Sequence, residues 1–145
     1  KYSAKLAEKE NIMLSIEIMD TEFIGTIDKA IDYIELIDSP YLKIYPDIGN
    51  LTQWTDSLSK QLKLGRKYMV GVHIKDTKPG VFKGVSFGEG NVNFKKIFKI
   101  LKEINYNGPL LIEMWANNDI IVSQKEATEN ILNAKKWIFN RLKDE

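Results

Sequence analysis

Short apolar runs alternate along the chain with segments in which apolar residues recur at helical spacing. The apolar runs have the length and residue types of buried strands and lie at 12–16, 41–46, 68–72 and 110–112. The segments of helical spacing lie at about 1–10, 27–37, 52–64, 94–101 and 124–142. Gly65 is expected to end the third of these helices in the left-handed conformation. The alternation predicts an α/β fold in which helices cover a parallel sheet.

Four strand–helix units are predicted, whereas a complete (β/α)8 TIM barrel usually needs about 250 residues. The order of the elements allows either an open four-stranded sheet or half of such a barrel. A half-barrel would leave apolar strands unpaired at both edges, so we expect it to pair with another half or with a second copy. The chain begins at Lys1 within a predicted helix and without an initiator Met. We therefore expect that residues upstream are missing.

Each predicted strand is followed at once by a residue that can bind a metal ion. These residues are Glu17, Asp47, His73 and Glu113. Parallel strands separated by helices bring their C-terminal ends together, so residues far apart in sequence can meet at one ion. Three carboxylates and one imidazole suit Mn²⁺, Zn²⁺, Co²⁺ or Mg²⁺ and leave positions for substrate oxygens. The pattern predicts one divalent metal site.

Each of these residues also has an ordinary structural interpretation. Glu17 could face water at a strand end, and Asp47 could cap the helix that follows it. His73 is the only histidine and could be a packing residue, while Glu113 could pair with a lysine. Because all four occupy the same position in successive units, the shared site is the stronger interpretation of the set.

Composition narrows the classes of function. A chain of 145 residues, 43% hydrophobic and 28% charged, suits one globular domain. The balance of 21 basic against 20 acidic residues argues against a nucleic-acid or membrane-surface partner. The absence of cysteine excludes disulfides, thiolate zinc sites and a cysteine nucleophile. Apolar runs fall short of the roughly 20 residues of a membrane helix, so we expect a soluble cytoplasmic protein.

Five segments of the chain carry a resemblance to a known family. Their residues are IEIMDT at 16–21, YPDIGNL at 45–51, VHIKDTKPG at 72–80, FGEG at 87–90 and LIEMW at 111–115. They closely resemble bacterial L-ribulose-5-phosphate 3-epimerases, also called L-xylulose-5-phosphate 3-epimerases, which are xylose-isomerase-like barrels. The resemblance implies that residues 1–145 are a single domain, the C-terminal half of a TIM barrel. It also places the family's metal ligands on Glu17, Asp47, His73 and Glu113.

The resemblance implies a metal-dependent reaction, epimerisation at C3 of a ketopentose 5-phosphate such as L-ribulose 5-phosphate or L-xylulose 5-phosphate. A divalent ion bound to the substrate's O2 and O3 would stabilise a cis-enediolate. Glu17 and Glu113 would be the catalytic pair, one removing the proton and the other returning one to the opposite face. Asp47 and His73 would hold the ion.

Four other residues are candidates for the substrate site or its support. Asn50 is a candidate partner for a substrate hydroxyl, or else a helix-capping residue. Among the lysines of the predicted loop at 75–93, Lys78 is the candidate phosphate contact, and solvated lysines are the ordinary alternative. Asp76 is expected to orient the metal-binding histidine or the lysine beside it. Trp115 could form a wall of the sugar pocket or pack against a helix.

Three other functions are weighed against epimerisation. An aldose–ketose isomerase of a hexulose 6-phosphate would use the same enediolate chemistry between C1 and C2. A metal-dependent endonuclease fits poorly, because its sites use several histidines and DNA needs a basic surface. An inactive fragment or assembly module is the third alternative, because a half-barrel lacks part of the pocket wall.

Overall fold

The computed structural model describes residues 1–115 and 122–143 and shows an α/β fold. The described residues form six helices, α1 (Tyr2–Lys9), α2 (Ile27–Ile37), α3 (Ile48–Trp54), α4 (Leu58–Gly65), α5 (Phe94–Glu103) and α6 (Gln124–Lys143). The same residues form six strands, β1 (Leu14–Glu17), β2 (Leu42–Tyr45), β3 (Val72–Ile74), β4 (Asp76–Lys78), β5 (Val81–Val85) and β6 (Leu110–Ile112). Single 3₁₀ turns lie at Glu22–Ile24 and Arg66–Tyr68.

Four parallel strands lie side by side in chain order. β1 pairs with β2, so that Glu17 lies opposite Tyr45. A parallel bridge between Asp47 and His73 joins the end of β2 to β3, and β3 pairs with β6 through His73 and Leu111. An open doubly wound sheet would reverse its strand order at a switch point, whereas a barrel does not. The sequential order therefore fits half of a TIM barrel.

The core lies between this sheet and a layer of helices. α2 packs against β2 and α4, α4 packs against α5, and α5 packs against α6. The largest fully buried apolar side chains are Ile18, Ile27, Ile44, Ile48, Leu51, Leu62, Val72, Ile74 and Ile97. Over the parts of the chain that the structure describes, the helices are too short or too polar to cross a membrane.

Apolar side chains remain exposed near the two outer strands. Ile12 and Met13, which lead into β1, are 58% and 48% exposed, and Leu111 of β6 is 53% exposed. Within the described residues, β1 pairs only with β2, and β6 pairs only with β3. These edges agree with the expectation that the half-barrel needs a partner.

Gly65 ends α4, but the expectation of a left-handed cap is wrong. Its φ is −75°, which any residue can adopt. A Cβ built on Gly65 would lie 2.8 Å from side-chain carbons of both Ile27 and Ile44. Glycine is needed here because α4 approaches α2 and β2 closely, and the requirement is one of space.

The helix predicted at 52–64 is two helices, α3 and α4. α3 starts earlier than expected because the Asp47 side chain accepts the backbone N–H of Asn50 and caps it. The helix is interrupted at Thr55, whose backbone is extended. The Thr55 hydroxyl accepts the N–H of Ser57 at 3.0 Å. Such a local side-chain bond competes with the helical hydrogen-bond ladder.

The segment predicted as a loop at 75–93 contains an antiparallel hairpin formed by β4 and β5. Lys78 lies opposite Val81 across a tight turn, and Gly80 within that turn has a φ of 74°. A residue with a side chain would be strained in that conformation, so the Pro-Gly pair favours the turn. The hairpin follows directly on β3 and so begins at the edge of the sheet where the candidate ligands lie.

Candidate metal centre

The structure brings all four predicted ligands together at the C-terminal edge of the parallel strands. Glu17 ends β1, Asp47 follows β2, His73 lies in β3, and Glu113 follows β6. One ligand atom from each residue can be chosen so that all four atoms lie within 4.8 Å of one another. Side chains separated by as many as 96 positions in sequence therefore form one cluster, which we call the four-residue cluster.

The carboxylates of this cluster converge on a single imidazole nitrogen. His73 Nδ1 lies 2.8 Å from Glu17 Oε1, 3.0 Å from Glu113 Oε2 and 3.9 Å from Asp47 Oδ2. A ring nitrogen carries at most one hydrogen, so it cannot donate to three carboxylates at once. The carboxylate oxygens and the ring nitrogen thus face one another, and a cation held between them would satisfy all four ligand atoms.

Asp47 supplies the most direct test of whether the cluster suits a cation. The residue is fully buried, and its Oδ1 accepts the N–H of Asn50 at 2.8 Å. Its Oδ2 has no hydrogen-bond partner among the described residues, although the Lys75 ammonium lies 3.1 Å away as an ion-pair contact. Burial raises the pKa of Asp47 to about 7, against the opposing effect of Lys75. A buried carboxylate with an unsatisfied oxygen fits a metal ligand.

Lys75 is buried inside the site, in contrast to the solvated lysines expected for this segment. Its Nζ lies 3.1 Å from Asp47 Oδ2 and 3.1 Å from Glu113 Oε1. Burial alone would lower the pKa of Lys75, but the two carboxylates raise it above its ordinary value. The ammonium therefore stays charged. This buried position could not be predicted from the sequence, because the contacts come from segments that follow other strands.

Glu113 is held by two donors on one oxygen. Trp115 Nε1 donates to Glu113 Oε1 at 2.6 Å, and Lys75 Nζ donates to the same atom at 3.1 Å. Burial by itself would raise the pKa of Glu113, but these hydrogen bonds bring it below its usual value. Glu113 is thus ionised at neutral pH, and its second oxygen is left to face His73.

A cavity of about 560 Å³ opens beside the cluster. Trp115 is 50% exposed and lines this cavity. Lys83 from β5 also lines it, with its ammonium 3.2 Å from Asp20 and 4.5 Å from the centre of the Trp115 ring. The hairpin therefore contributes a charged side chain to the cavity, a position of Lys83 that was not predicted from the sequence.

The two predicted substrate-binding residues differ in their placement. Asn50 is 2% exposed and lines the cavity, and its Nδ2 donates to the carbonyl oxygen of Ile18 at 3.0 Å. Its Oδ1 has no hydrogen-bond partner in the described part of the chain. Lys78 is exposed on β4 and is not among the residues that line this cavity. Its role as a phosphate contact stays a prediction.

Asp76 does not orient His73 or Lys75, so that expectation is wrong. Its buried carboxylate accepts backbone N–H groups from the segment after β5, at Gly88 (2.9 Å), Gly90 (3.0 Å) and Val92 (3.3 Å), and from Thr77 (3.0 Å). The hydrogen bonds of this carboxylate thus go to backbone donors of the hairpin and the segment after it. Asp76 fixes the segment that returns from the hairpin to α5.

The chain is similar in sequence to a known protein family and to individual named proteins. The family described as xylose isomerase-like TIM barrel matches residues 1–140. The proteins named L-ribulose-5-phosphate 3-epimerase UlaE from Escherichia coli (strain K12 / DH10B) and Shigella sonnei (strain Ss046) are each 39% identical to this chain over 142 residues. The alignments cover 98% of this chain and 48% of each relative. The chain thus spans about half the length of the curated relatives it matches.

Solved structures show the same fold at lower identity. The structure of an L-ribulose 3-epimerase matches with a TM-score of 0.76 and 19% identity, over 98% of this chain and 52% of that one. D-psicose 3-epimerase from Clostridium cellulolyticum H10 matches with a TM-score of 0.75 and 18% identity, over 97% of this chain and 53% of that one. At such identities the likeness shows a shared fold alone.

Proposed function

The chain belongs to the xylose isomerase-like TIM barrel family, and on that premise we propose that it is the C-terminal half of a sugar-phosphate 3-epimerase. The observation that carries this proposal is the convergence of Glu17, Asp47, His73 and Glu113 within 4.8 Å beside an open cavity. Residues 1–145 would form one domain. The exposed edges near β1 and β6 support its pairing with the other half of the barrel or with a second copy.

The substrate we propose is a ketopentose 5-phosphate, either L-ribulose 5-phosphate or L-xylulose 5-phosphate. Its support is the name of the relatives that are 39% identical over nearly the whole chain. Epimerisation at C3 requires removal of a proton next to a carbonyl and return of a proton to the other face. The intermediate would be a cis-enediolate, so the protein must supply two groups that exchange protons.

Glu17 and Glu113 are the residues we assign to these two proton transfers. They come from the first and last of the four parallel strands and approach His73 Nδ1 from opposite ends of the sheet. Trp115 and Lys75 hold one oxygen of Glu113 and favour its ionised form, which is the form that accepts a proton. Glu17 lines the same cavity from the other side.

Asp47 and His73 would hold a divalent ion together with the two glutamates. Mn²⁺, Zn²⁺, Co²⁺ and Mg²⁺ all suit this set of oxygen and nitrogen donors. When bound, such an ion supplies Lewis-acid stabilisation of the negative charge that develops on the substrate. Asp47 is fixed for this purpose by its cap on α3, and His73 is fixed by its place within β3.

The proposal is tested by the position at which solvent hydrogen enters the product. We expect the full-length protein to convert L-ribulose 5-phosphate to L-xylulose 5-phosphate in D₂O, with deuterium at C3 of the product by NMR. Deuterium at C1 or C2 of a hexose or hexulose 6-phosphate would instead indicate an aldose–ketose isomerase. Absence of any turnover with added Mn²⁺ would indicate a scaffold or assembly module.

Lys78 is proposed as a phosphate contact, and Asn50 as a partner for a substrate hydroxyl. We expect Lys78→Ala to raise KM severalfold for the phosphorylated ketopentose and to leave kcat unchanged. The reason is that a phosphate contact formed equally in the ground and transition states contributes to binding alone. Steady-state kinetics with the phosphorylated and the unphosphorylated sugar would measure this. An equal change of KM for both sugars, or no change, would show that Lys78 does not contact the phosphate.

A further inference from the structure

A buried lysine contacts the four-residue cluster, and its role in the proposed proton transfers is limited to holding Glu113 in its ionised form. Lys75 is 4% exposed, and its ammonium lies 3.1 Å from both Asp47 Oδ2 and Glu113 Oε1. A buried charge is costly unless it is paired closely. Lys75 therefore belongs to the charge balance of the site.

The backbone around Lys75 is confined from two sides, so the side chain is directed into the cluster by the fold. On one side, a Cβ on Gly49 of α3 would lie 2.7 Å from the carbonyl oxygen of Lys75. On the other side, the N–H of Glu113 donates to the carbonyl oxygen of Ile74 at 3.0 Å. The backbone of Lys75 is thus held between α3 and the chain after β6, and the two ion pairs hold its ammonium.

The charges of the four-residue cluster and a bound divalent ion sum to zero only when the Lys75 ammonium is included. Glu17, Asp47 and Glu113 carry three negative charges when they are ionised, and neutral His73 adds none. A divalent ion leaves one negative charge, and the Lys75 ammonium cancels it. We propose that Lys75 is a permanent internal cation of the metal centre, which holds Asp47 and Glu113 in place without metal and moderates the affinity for a divalent ion. This inference rests on the proposed metal site.

Two opposite effects on the protein follow from this role. Without metal, Lys75 is the charge that compensates buried carboxylates, so its removal should destabilise the metal-free form. With metal, a positive charge so close to the ion repels it, so its removal should tighten binding. A residue that only positions ligands would give weaker metal binding on removal, which is the opposite sign.

The test compares Lys75→Gln with the wild type in the full-length protein. Glutamine keeps an N–H donor near the carboxylates and loses the charge. We expect Mn²⁺ to bind Lys75→Gln about tenfold more tightly at pH 8 in calorimetric titration. We also expect a lower Tm in EDTA and a larger rise of Tm on adding Mn²⁺. Lys99→Gln removes the same charge from an exposed position on α5 and should match the wild type in both measurements.

Unchanged or weaker Mn²⁺ binding by Lys75→Gln, beside normal binding by the wild type, would overturn the role of Lys75 and leave the metal site standing. Absence of Mn²⁺ binding by the wild type would instead overturn the proposed metal site itself. Lys75→Arg keeps the charge and gives an independent test. Its Mn²⁺ affinity should stay within about threefold of the wild type, and a tenfold change would contradict the proposal.

Discussion

Replacing Glu113 with glutamine in the full-length protein is expected to lower kcat for C3 epimerisation by about 10³-fold or more. Glutamine keeps the shape of the side chain and an oxygen that can accept from Trp115 and Lys75, but it cannot accept the substrate proton. Glu17→Gln should cause a loss of similar size, because epimerisation uses both groups in each turnover. Steady-state kinetics would measure both losses, with Glu35→Gln on the exposed side of α2 as the matched control.

Isotope exchange separates a two-base scheme from a general loss of activity. With Glu113 replaced, Glu17 can still remove the C3 proton from the epimer that faces it. That epimer should exchange its C3 hydrogen with D₂O without being converted, and the other epimer should not exchange. Glu17→Gln should show the reverse preference. Near-normal turnover in either variant would end the two-base assignment.

Asp47→Asn is expected to weaken binding of Mn²⁺ by at least about 100-fold, more than the loss typical of residues that only support a ligand. Asn keeps an oxygen that can accept the N–H of Asn50, so the cap on α3 is retained while the charge is lost. Asp47→Ala should lose the cap as well, at a further cost of about 1 kcal/mol in the free energy of unfolding. Calorimetric titration and chemical unfolding would separate the two effects. Mn²⁺ affinity equal to that of the wild type would show that Asp47 is not a ligand.

The same variant should change how stability depends on pH in metal-free protein. Burial raises the pKa of Asp47 from its ordinary 3.8 to about 7, so the folded state favours the protonated carboxyl. A raised folded pKa gives a contribution to stability that is complete below the unfolded pKa and is lost as pH rises through about 7. In EDTA, the wild type should therefore lose stability between about pH 4 and pH 7, and Asp47→Asn should lose less over that range.

The positions of the four candidate ligands could be predicted because they depend on short-range patterns and one topological rule. Each ligand follows or ends a short apolar run, and parallel strands bring such positions to one edge. The strand Leu110–Ile112 was predicted with its observed bounds, and the other runs differ by a few residues at their ends. His73 lies within β3 instead of after it, because pairing with β6 begins at Val72 and continues to Ile74.

The surroundings of the ligands could not be predicted, because they depend on contacts between distant segments. In the sequence, Lys75 is one of several lysines in a polar segment. Its burial depends on ion pairs with Asp47 and Glu113, which follow neighbouring strands. Asp76 is expected from the sequence to orient His73 or Lys75, yet three of its four donors lie 12 to 16 residues further along the chain. Gly65 is likewise required by the close approach of α4 to α2 and β2, which no local sequence pattern indicates.

The claim that Glu17, Asp47, His73 and Glu113 share one cation is tested most directly by anomalous diffraction from crystals of the full-length protein grown with Mn²⁺. We expect one strong peak within the four-residue cluster, with an oxygen from each carboxylate and Nδ1 of His73 at about 2.0–2.3 Å. A map with no peak there, or a peak bound by other residues while these four remain free of it, would contradict the account.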